Sequence, residues 1–396
     1  MSCATAVDAG RISPAAAFYL LASITISFLA GSSAPTSLYP VYQAQWGFSP
    51  ITVTVVFAVY AIGVLGALLI AGRLSDHIGR RPVLIVATLA HAVTMLIFSA
   101  ASGVGDLVIA RVIQGVAAGA ALAAVGAGML DLDKARGTIA NAVAPALGTA
   151  AGGIVGGLMV HFLPAPTHLV YLVLGAGFLA QAAGVALMTE TASLRPGALG
   201  SLKPRFSVPR ATRRPLLIAV PALVAPWALA GFYASLGPVL LRSTFGLDSS
   251  LFGGLALFVL GGSAGAAIFL LRRYDAARMT SVGAASLLAG VIVVMLALSH
   301  QSPAAFFLGT VVAGAGFGTS VQGAIGIVVP FAPPGERAGV LSVIFVVSYL
   351  AMGAPAVVAG YLVAQGGDIT TTAREFGATV MMLAALALLG ALRIRP

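Results

Sequence analysis

Between residues 12 and 72 the chain has no Asp, Glu, Lys or Arg, and after a short charged island residues 83–105 have none either. A water-soluble fold needs a polar stripe on each surface helix and a polar face on each surface sheet. Stretches this long without charge cannot supply them, and lipid is the solvent that suits such a chain. With 59% of its 396 residues hydrophobic, 8% charged and a mean hydropathy of +1.04, the whole sequence shares this character. A bilayer core takes about 20 apolar residues per helix. Polar breaks divide the chain into twelve such stretches: 14–38, 51–71, 82–102, 107–130, 137–162, 168–188, 214–241, 250–271, 279–299, 303–330, 338–364 and 377–392. The expected class is an all-α integral membrane protein with twelve transmembrane helices.

The net charge of +10 is distributed as a topology signal rather than as a nucleic-acid surface. With the N-terminus inside, eighteen of the twenty-one Lys and Arg fall on one side, from Arg11 and the island at Arg73, Arg80 and Arg81 to Arg393 and Arg395. Arg242 and Arg374 fall on the other side and Arg111 falls within a helix. This is the positive-inside asymmetry, so both termini are expected in the cytoplasm and no nucleic acid is expected as partner. The first span carries small residues at Ala30–Ala34 like a cleaved leader, but removing it would leave eleven spans and misplace the basic tail. Cys3, the one cysteine, excludes an intrachain disulfide and a cysteine metal cluster.

The longest polar segment, Glu190–Arg214, holds three prolines and reads as a cytoplasmic linker. It divides the chain into a six-helix bundle at 1–189, the linker at 190–213 and a second six-helix bundle at 214–396. A shift of 199 residues places Asp76 on Asp275, and the same shift places Arg111, Gly115 and Gly119 on Thr310, Gly314 and Gly318. One ungapped offset aligning two features implies two pseudo-symmetric halves related by an axis along the membrane normal.

The charged island reads Gly72-Arg-Leu74-Ser-Asp76-His-Ile-Gly79-Arg80-Arg81-Pro. Every fixed position matches the loop signature G-x-L-x-D-x-x-G-R-[RK], and on it the chain resembles the major facilitator superfamily of secondary transporters. The resemblance implies two bundles around a central cavity, working by rocker-type alternating access. It also implies a conformational latch: Asp76 facing the N-terminal end of helix 11 near Arg337–Ser342, and Arg80 paired with Asp131. Contacts made in only one of two conformations bias the equilibrium between them.

Leu107-x-x-x-Arg111-x-x-Gln114-Gly115 is similar to the superfamily's second signature, typical of proton-coupled antiporters. An intramembrane Arg costs about 2.5–3.5 kcal/mol at helix-centre depth, so it either finds acceptors in the interior or snorkels to the surface. Asp106 lies some 140° around the helix from Arg111 and reads as a helix N-cap, with proton uptake as its functional alternative. Gly148, Gly152, Gly153, Gly156 and Gly157 resemble the antiporter signature G-x-x-x-G-P-x-x-G-G with Gly153 in place of proline; close packing is the other reading. His91 is either a proton relay or a hydrogen-bonded structural residue. Helix 1 has no acid, so neutral, weakly basic or anionic substrates fit better than multiply charged cations. Mid-depth polar and aromatic residues make Ser27, Ser32, Trp227, Tyr233, Ser320 and Gln322 cavity candidates, with Pro221, Pro226 and Gly231 allowing helix 7 to bend.

Gly103-x-Gly105-Asp106 and Tyr274-Asp275 copy short strings of intramembrane aspartyl proteases, but topology sets these acids a bilayer apart. No nucleophile dyad, metal site or phosphate-binding loop appears, so no enzyme and no cofactor is expected, and energy must come from a gradient, the proton gradient by resemblance. The expected function is export of a small, mostly apolar compound by a monomer in a bacterial inner membrane. Uptake of a metabolite by symport or uniport is the alternative.

Overall fold

The computed structural model describes residues 11–204 and 206–393; Cys3, Arg205 and Arg395 lie outside them. Among the described residues twelve helices are long and apolar enough to cross a membrane, and there is no strand. They are α1 (Pro14–Ser33), α2 (Pro50–Ala71), α3 (Arg80–Ser99), α4 (Val104–Leu132), α5 (Lys134–Phe162), α6 (Pro166–Ala186), α7 (Arg210–Ser235), α8 (Ser250–Leu271), α9 (Ala276–Ser299), α10 (Pro303–Val328), α11 (Arg337–Ala364) and α12 (Ile369–Leu392). Helices satisfy every backbone group inside one segment, which is what hydrocarbon demands. An even number of spans puts the two described ends on the same side, with the 72–82 island. We call it the signature side and its opposite the far side.

Local chemistry sets the helix starts. Proline occupies the first position of α1, α2, α6 and α10, where its missing N–H costs nothing. Scarce acids serve as caps: Asp133, Asp275 and Asp368 accept from the backbone N–H three residues on, of Arg136, Arg278 and Thr371. Asp368 explains why α12 begins at Ile369 and not at the apolar residue 377, because the cap carries the helix through a polar first turn. Asp275 thus has a structural task, and the protease-like string has none.

The helix contacts repeat between halves. Helices α2 and α4 pack together as α8 and α10 do, α3 and α6 as α9 and α12, and α1 and α5 as α7 and α11. A Cβ at Gly115 would lie 2.5 Å from the Tyr60 carbonyl, and one at Gly119 would overlap the Val64 carbonyl. Their counterparts Gly314 and Gly318 press in the same way on Leu260 and Ala264 of α8. The 199-residue echo is therefore a shared need for backbone-to-backbone approach between two helices. The large hydrophobic cluster of the first half spans Ala17–Met188, whereas those of the second half lie within 216–391.

The halves meet chiefly through α5 with α8 and α2 with α11. Gly153 and Gly157 sit against Gly254, Leu257 and Leu251, and Gly261 approaches Ala146 and Ala150. Across the second seam Gly360 abuts Thr54, and Gly353 faces Ala58 and Ala61. These contacts run from the far side to about mid-depth. On the far side the seam is closed.

Candidate functional site

The signature loop is folded around an acid from the linker. Gly79 has φ 106°, open to glycine, and a Cβ there would lie 2.5 Å from Glu190 Oε2. Glu190 Oε1 accepts from the Arg80 N–H at 2.8 Å and Oε2 from the Arg81 N–H at 3.0 Å, so a distant carboxylate caps α3. Arg81 also donates to the Ala186 carbonyl, and Gly72 ends α2 where a Cβ would overlap the Leu68 carbonyl. Arg80 Nε reaches Asp131 Oδ2 at 3.3 Å, and its Nη1 donates to Ser75 Oγ at 2.7 Å and to Asp76 Oδ1 at 2.5 Å.

The expected contact between Asp76 and the start of α11 is not made among the described residues. Asp76 is held by Arg80 instead, and the first turn of α11 is occupied by the linker. Ser207 Oγ donates to Glu336, and a Cβ at Gly339 would lie 2.9 Å from the Ser207 nitrogen. The same linker is tied to the first bundle, where Arg73 Nη2 donates to the Ser201 and Lys203 carbonyls. In this conformation each end of the expected latch is therefore engaged elsewhere, Asp76 by Arg80 and the start of α11 by the linker.

Arg111 is fully buried, which removes the snorkelling alternative. It lies about 10 Å from the start of α4. Its Nη1 donates to the Ser32 carbonyl at 2.9 Å and to Gln114 Oε1 at 2.8 Å, and its Nη2 to the Tyr39 hydroxyl at 2.6 Å. The rings of Tyr39, Tyr60 and Phe98 surround it, with centroids 5.3–5.8 Å from Cζ. Gln114 Nε2 donates to the Gly31 carbonyl at 3.1 Å.

These acceptors exist because of Pro35. At Ala34–Ser37 the chain turns from α to 3₁₀ geometry. Proline has no N–H to give the Gly31 carbonyl in α pairing or the Ser32 carbonyl in 3₁₀ pairing. Arg111 and Gln114 supply the missing donors. The short segment they brace crosses the seam, where Thr36 Oγ1 donates to the Ala234 carbonyl of α7 at 3.0 Å.

Asp106 is not brought to Arg111. The N-cap is Gly103, and Asp106 sits three residues into the turn, its Oδ2 accepting from Ser102 N at 2.8 Å and Ser102 Oγ at 3.0 Å. Asp106 is therefore not the N-cap but an acceptor in the first turn that ties down the residue before the cap. His91 is fully buried, stacked on Phe28 at 3.7 Å with Phe178 edge-on at 5.1 Å, and its Nε2 has no partner.

The helix 5 glycines serve two faces. Gly148 and Gly152 admit the backbone of α1 and Gly156 that of Ala34 just beyond it, while Gly153 and Gly157 admit α8 of the other bundle. A proline ring at 153 would strike the Gly254 carbonyl and Leu257, which accounts for the glycine there.

Of the cavity candidates, Trp227 reaches the space between bundles. It packs against the small cluster that Phe57 and Ala61 of α2 form with Met352 of α11, edge-on to Phe317 of α10 at 5.6 Å and tilted on Tyr349 at 5.7 Å. Ser27 is turned to α6, donating to Gln181 Oε1 at 2.8 Å. Ser32 donates its hydroxyl to the Phe28 carbonyl. Tyr233 is core, bonded to Thr310 at 2.9 Å and stacked on Phe306. Ser320 is fully buried with its backbone against Gly283 of α9. Gln322 is half-buried and about 140° around α10 from Phe317.

Geometry and sequence comparison agree on the family. The family profile described as Major Facilitator Superfamily matches residues 20–354. The chain belongs to the major facilitator superfamily. A multidrug resistance protein, MdtL of Klebsiella pneumoniae, is 27% identical over 348 residues, 82% of this chain and 83% of that protein. The cephamycin export protein CmcT of Amycolatopsis lactamdurans is 34% identical over 153 residues, 36% of this chain and 31% of that longer relative. In fold, a bacterial homologue of the human lysosomal transporter Spinster, described as inward-facing and unoccupied, superposes with TM-score 0.72 at 14% identity, covering 96% and 97% of the two chains. The nucleoside transporter NupG gives 0.69 at 14% identity, covering 96% and 99%. This superfamily member is thus a multi-pass transporter in lipid, not an enzyme, with a small molecule as its substrate.

Proposed function

We propose that the chain exports a small, mostly apolar compound from the cytoplasm across a bacterial inner membrane by alternating access, driven by the proton gradient and acting as a monomer. The signature side is then cytoplasmic, as its basic loops favour, and the seam described above is the closed periplasmic gate. One observation carries the substrate class: all ten acids among the described residues sit in loops or within two turns of a helix end, and the interior charge is Arg111. A path without carboxylates favours neutral or anionic molecules over cations. The exporter names of MdtL and CmcT support the direction.

Everted vesicles loaded with a proton-sensitive dye test this. Adding a transported compound to respiring vesicles is expected to release protons from the lumen as the compound accumulates. Protons and compound crossing in the same direction, or no proton movement at all, would favour the uptake or uniport reading. Asp106→Asn is expected to keep the proton signal above half of normal, since Asn Oδ1 accepts the same two bonds from Ser102. Loss of the proton signal at normal abundance would make Asp106 the carrier.

A further inference from the structure

We propose that Trp227, Phe317 and Tyr349 form a substrate clamp for planar aromatic compounds bearing a hydrogen-bond acceptor, a carbonyl or carboxylate oxygen that takes the Trp227 indole N–H. This rests on the transport reading above and narrows its substrate.

The three rings come from α7, α10 and α11 and are half-buried, unlike the sealed aromatic core of either bundle. Trp227 meets Phe317 of α10 and Tyr349 of α11 and packs on the small cluster that joins α2 to α11, so it points at the shared axis rather than at lipid. It lies roughly 25 Å along α7 from the signature side, and Phe317 and Tyr349 lie near the middle of their helices. The three rings therefore lie in the middle third of the bundle, on the signature-side flank of the closed seam. Phe317 meets Trp227 at 89° and Tyr349 meets it at 33°, an edge and a slanted face, between which a flat ring finds both offset-stacked and edge contacts.

The second observation is polar. Trp227 Nε1 is shielded from solvent and has no acceptor among the described residues. Indole nitrogen only donates, and a buried donor without a partner is costly, so binding sites retain such groups for ligands. Of the side chains in this cluster Tyr349 carries an oxygen, which does not accept from Nε1, and Phe57, Ala61 and Met352 carry none. The acceptor must then arrive with the substrate. An ammonium cannot accept this bond, and an aliphatic body forfeits the ring contacts.

The test uses Trp46→Phe, which leaves Trp227 as the single tryptophan in the chain, reconstituted in nanodiscs with empty discs subtracted for partitioning. 2-Acetylnaphthalene is expected to quench Trp227 fluorescence saturably and to bind about tenfold more tightly than 2-ethylnaphthalene, as one hydrogen bond to an otherwise orphaned donor predicts. Titrated by calorimetry, Trp227→Phe should keep the ring but lower the ketone's affinity about tenfold while changing the hydrocarbon's less than twofold. Quenching that follows lipid partition alone, equal affinities for the two probes, or an unchanged ratio in Trp227→Phe would each overturn the clamp. These are binding measurements, independent of direction and coupling. Saturable discrimination without any proton-linked export would uphold the clamp and remove the export reading, whereas export with kinetics unchanged by Trp227→Phe would do the reverse.

Discussion

Arg111→Lys is expected to reduce transport more than tenfold at matched abundance and to lower the thermal midpoint by several degrees. The lysine keeps the charge, but one ammonium on a flexible stem cannot reach Ser32, Gln114 and Tyr39 together as the planar fork does. Each buried acceptor left unpaired costs about 1–3 kcal/mol, and Pro35 has no N–H to give the Ser32 carbonyl in the 3₁₀ turn that follows. The segment Ala34–Ser37 then loses its brace, and with it the Thr36 bond across the seam. Transport assays beside thermal unfolding in detergent check this. A fully active Lys variant would show that charge alone suffices.

Gly254→Val is expected to reduce transport at least tenfold with little loss of folded protein. A Cβ at Gly254 overlaps the Gly153 carbonyl, and this contact is between bundles, so each bundle still folds while the far side cannot close. A cysteine in place of Ser37, which is fully buried against the Gly153 carbonyl, should in a Cys3→Ser background become more reactive to a membrane-impermeant thiol reagent from the far side. Gly262→Val is the matched control. It lies two turns along the same helix, where a Cβ meets nothing within 4 Å, and it should transport normally.

Much of this architecture was legible because lipid makes sequence rules strict. Span lengths gave the twelve helices, and charge-free stretches made the island at 72–82 and Arg111 conspicuous. The cavity was harder to read, because depth along a helix fixes the height of a side chain but not which neighbour it faces. Ser27, Tyr233 and Ser320 sit at plausible heights yet face Gln181, Thr310 and α9. Phe317 and Tyr349 carry no local pattern that separates them from lipid-facing aromatics. Glu190 was read as the start of a linker, since a cap supplied from more than a hundred residues away leaves no spacing to detect. Pro35 and Arg111 were each visible, but their link passes through the two carbonyls of α1 that the proline leaves without donors.

The most direct test of rocker-type alternation is a pair of distance measurements in a Cys3→Ser chain, by pulsed electron paramagnetic resonance. One spin-label pair, at Ile78 and Pro334, spans the bundles on the signature side; the other, at Gln45 and Gln365, spans them on the far side. All four residues are exposed. Each pair should show two populations, the long distance on one side accompanying the short distance on the other. Asp76→Asn removes the charge that would meet α11 in the alternate state. It should therefore enrich the population with the far side short, as in the closed seam, and the signature side long, while slowing transport at normal abundance. Distances on the two sides that vary independently, or that Asp76→Asn leaves unchanged, would contradict a single rocking equilibrium held by this latch.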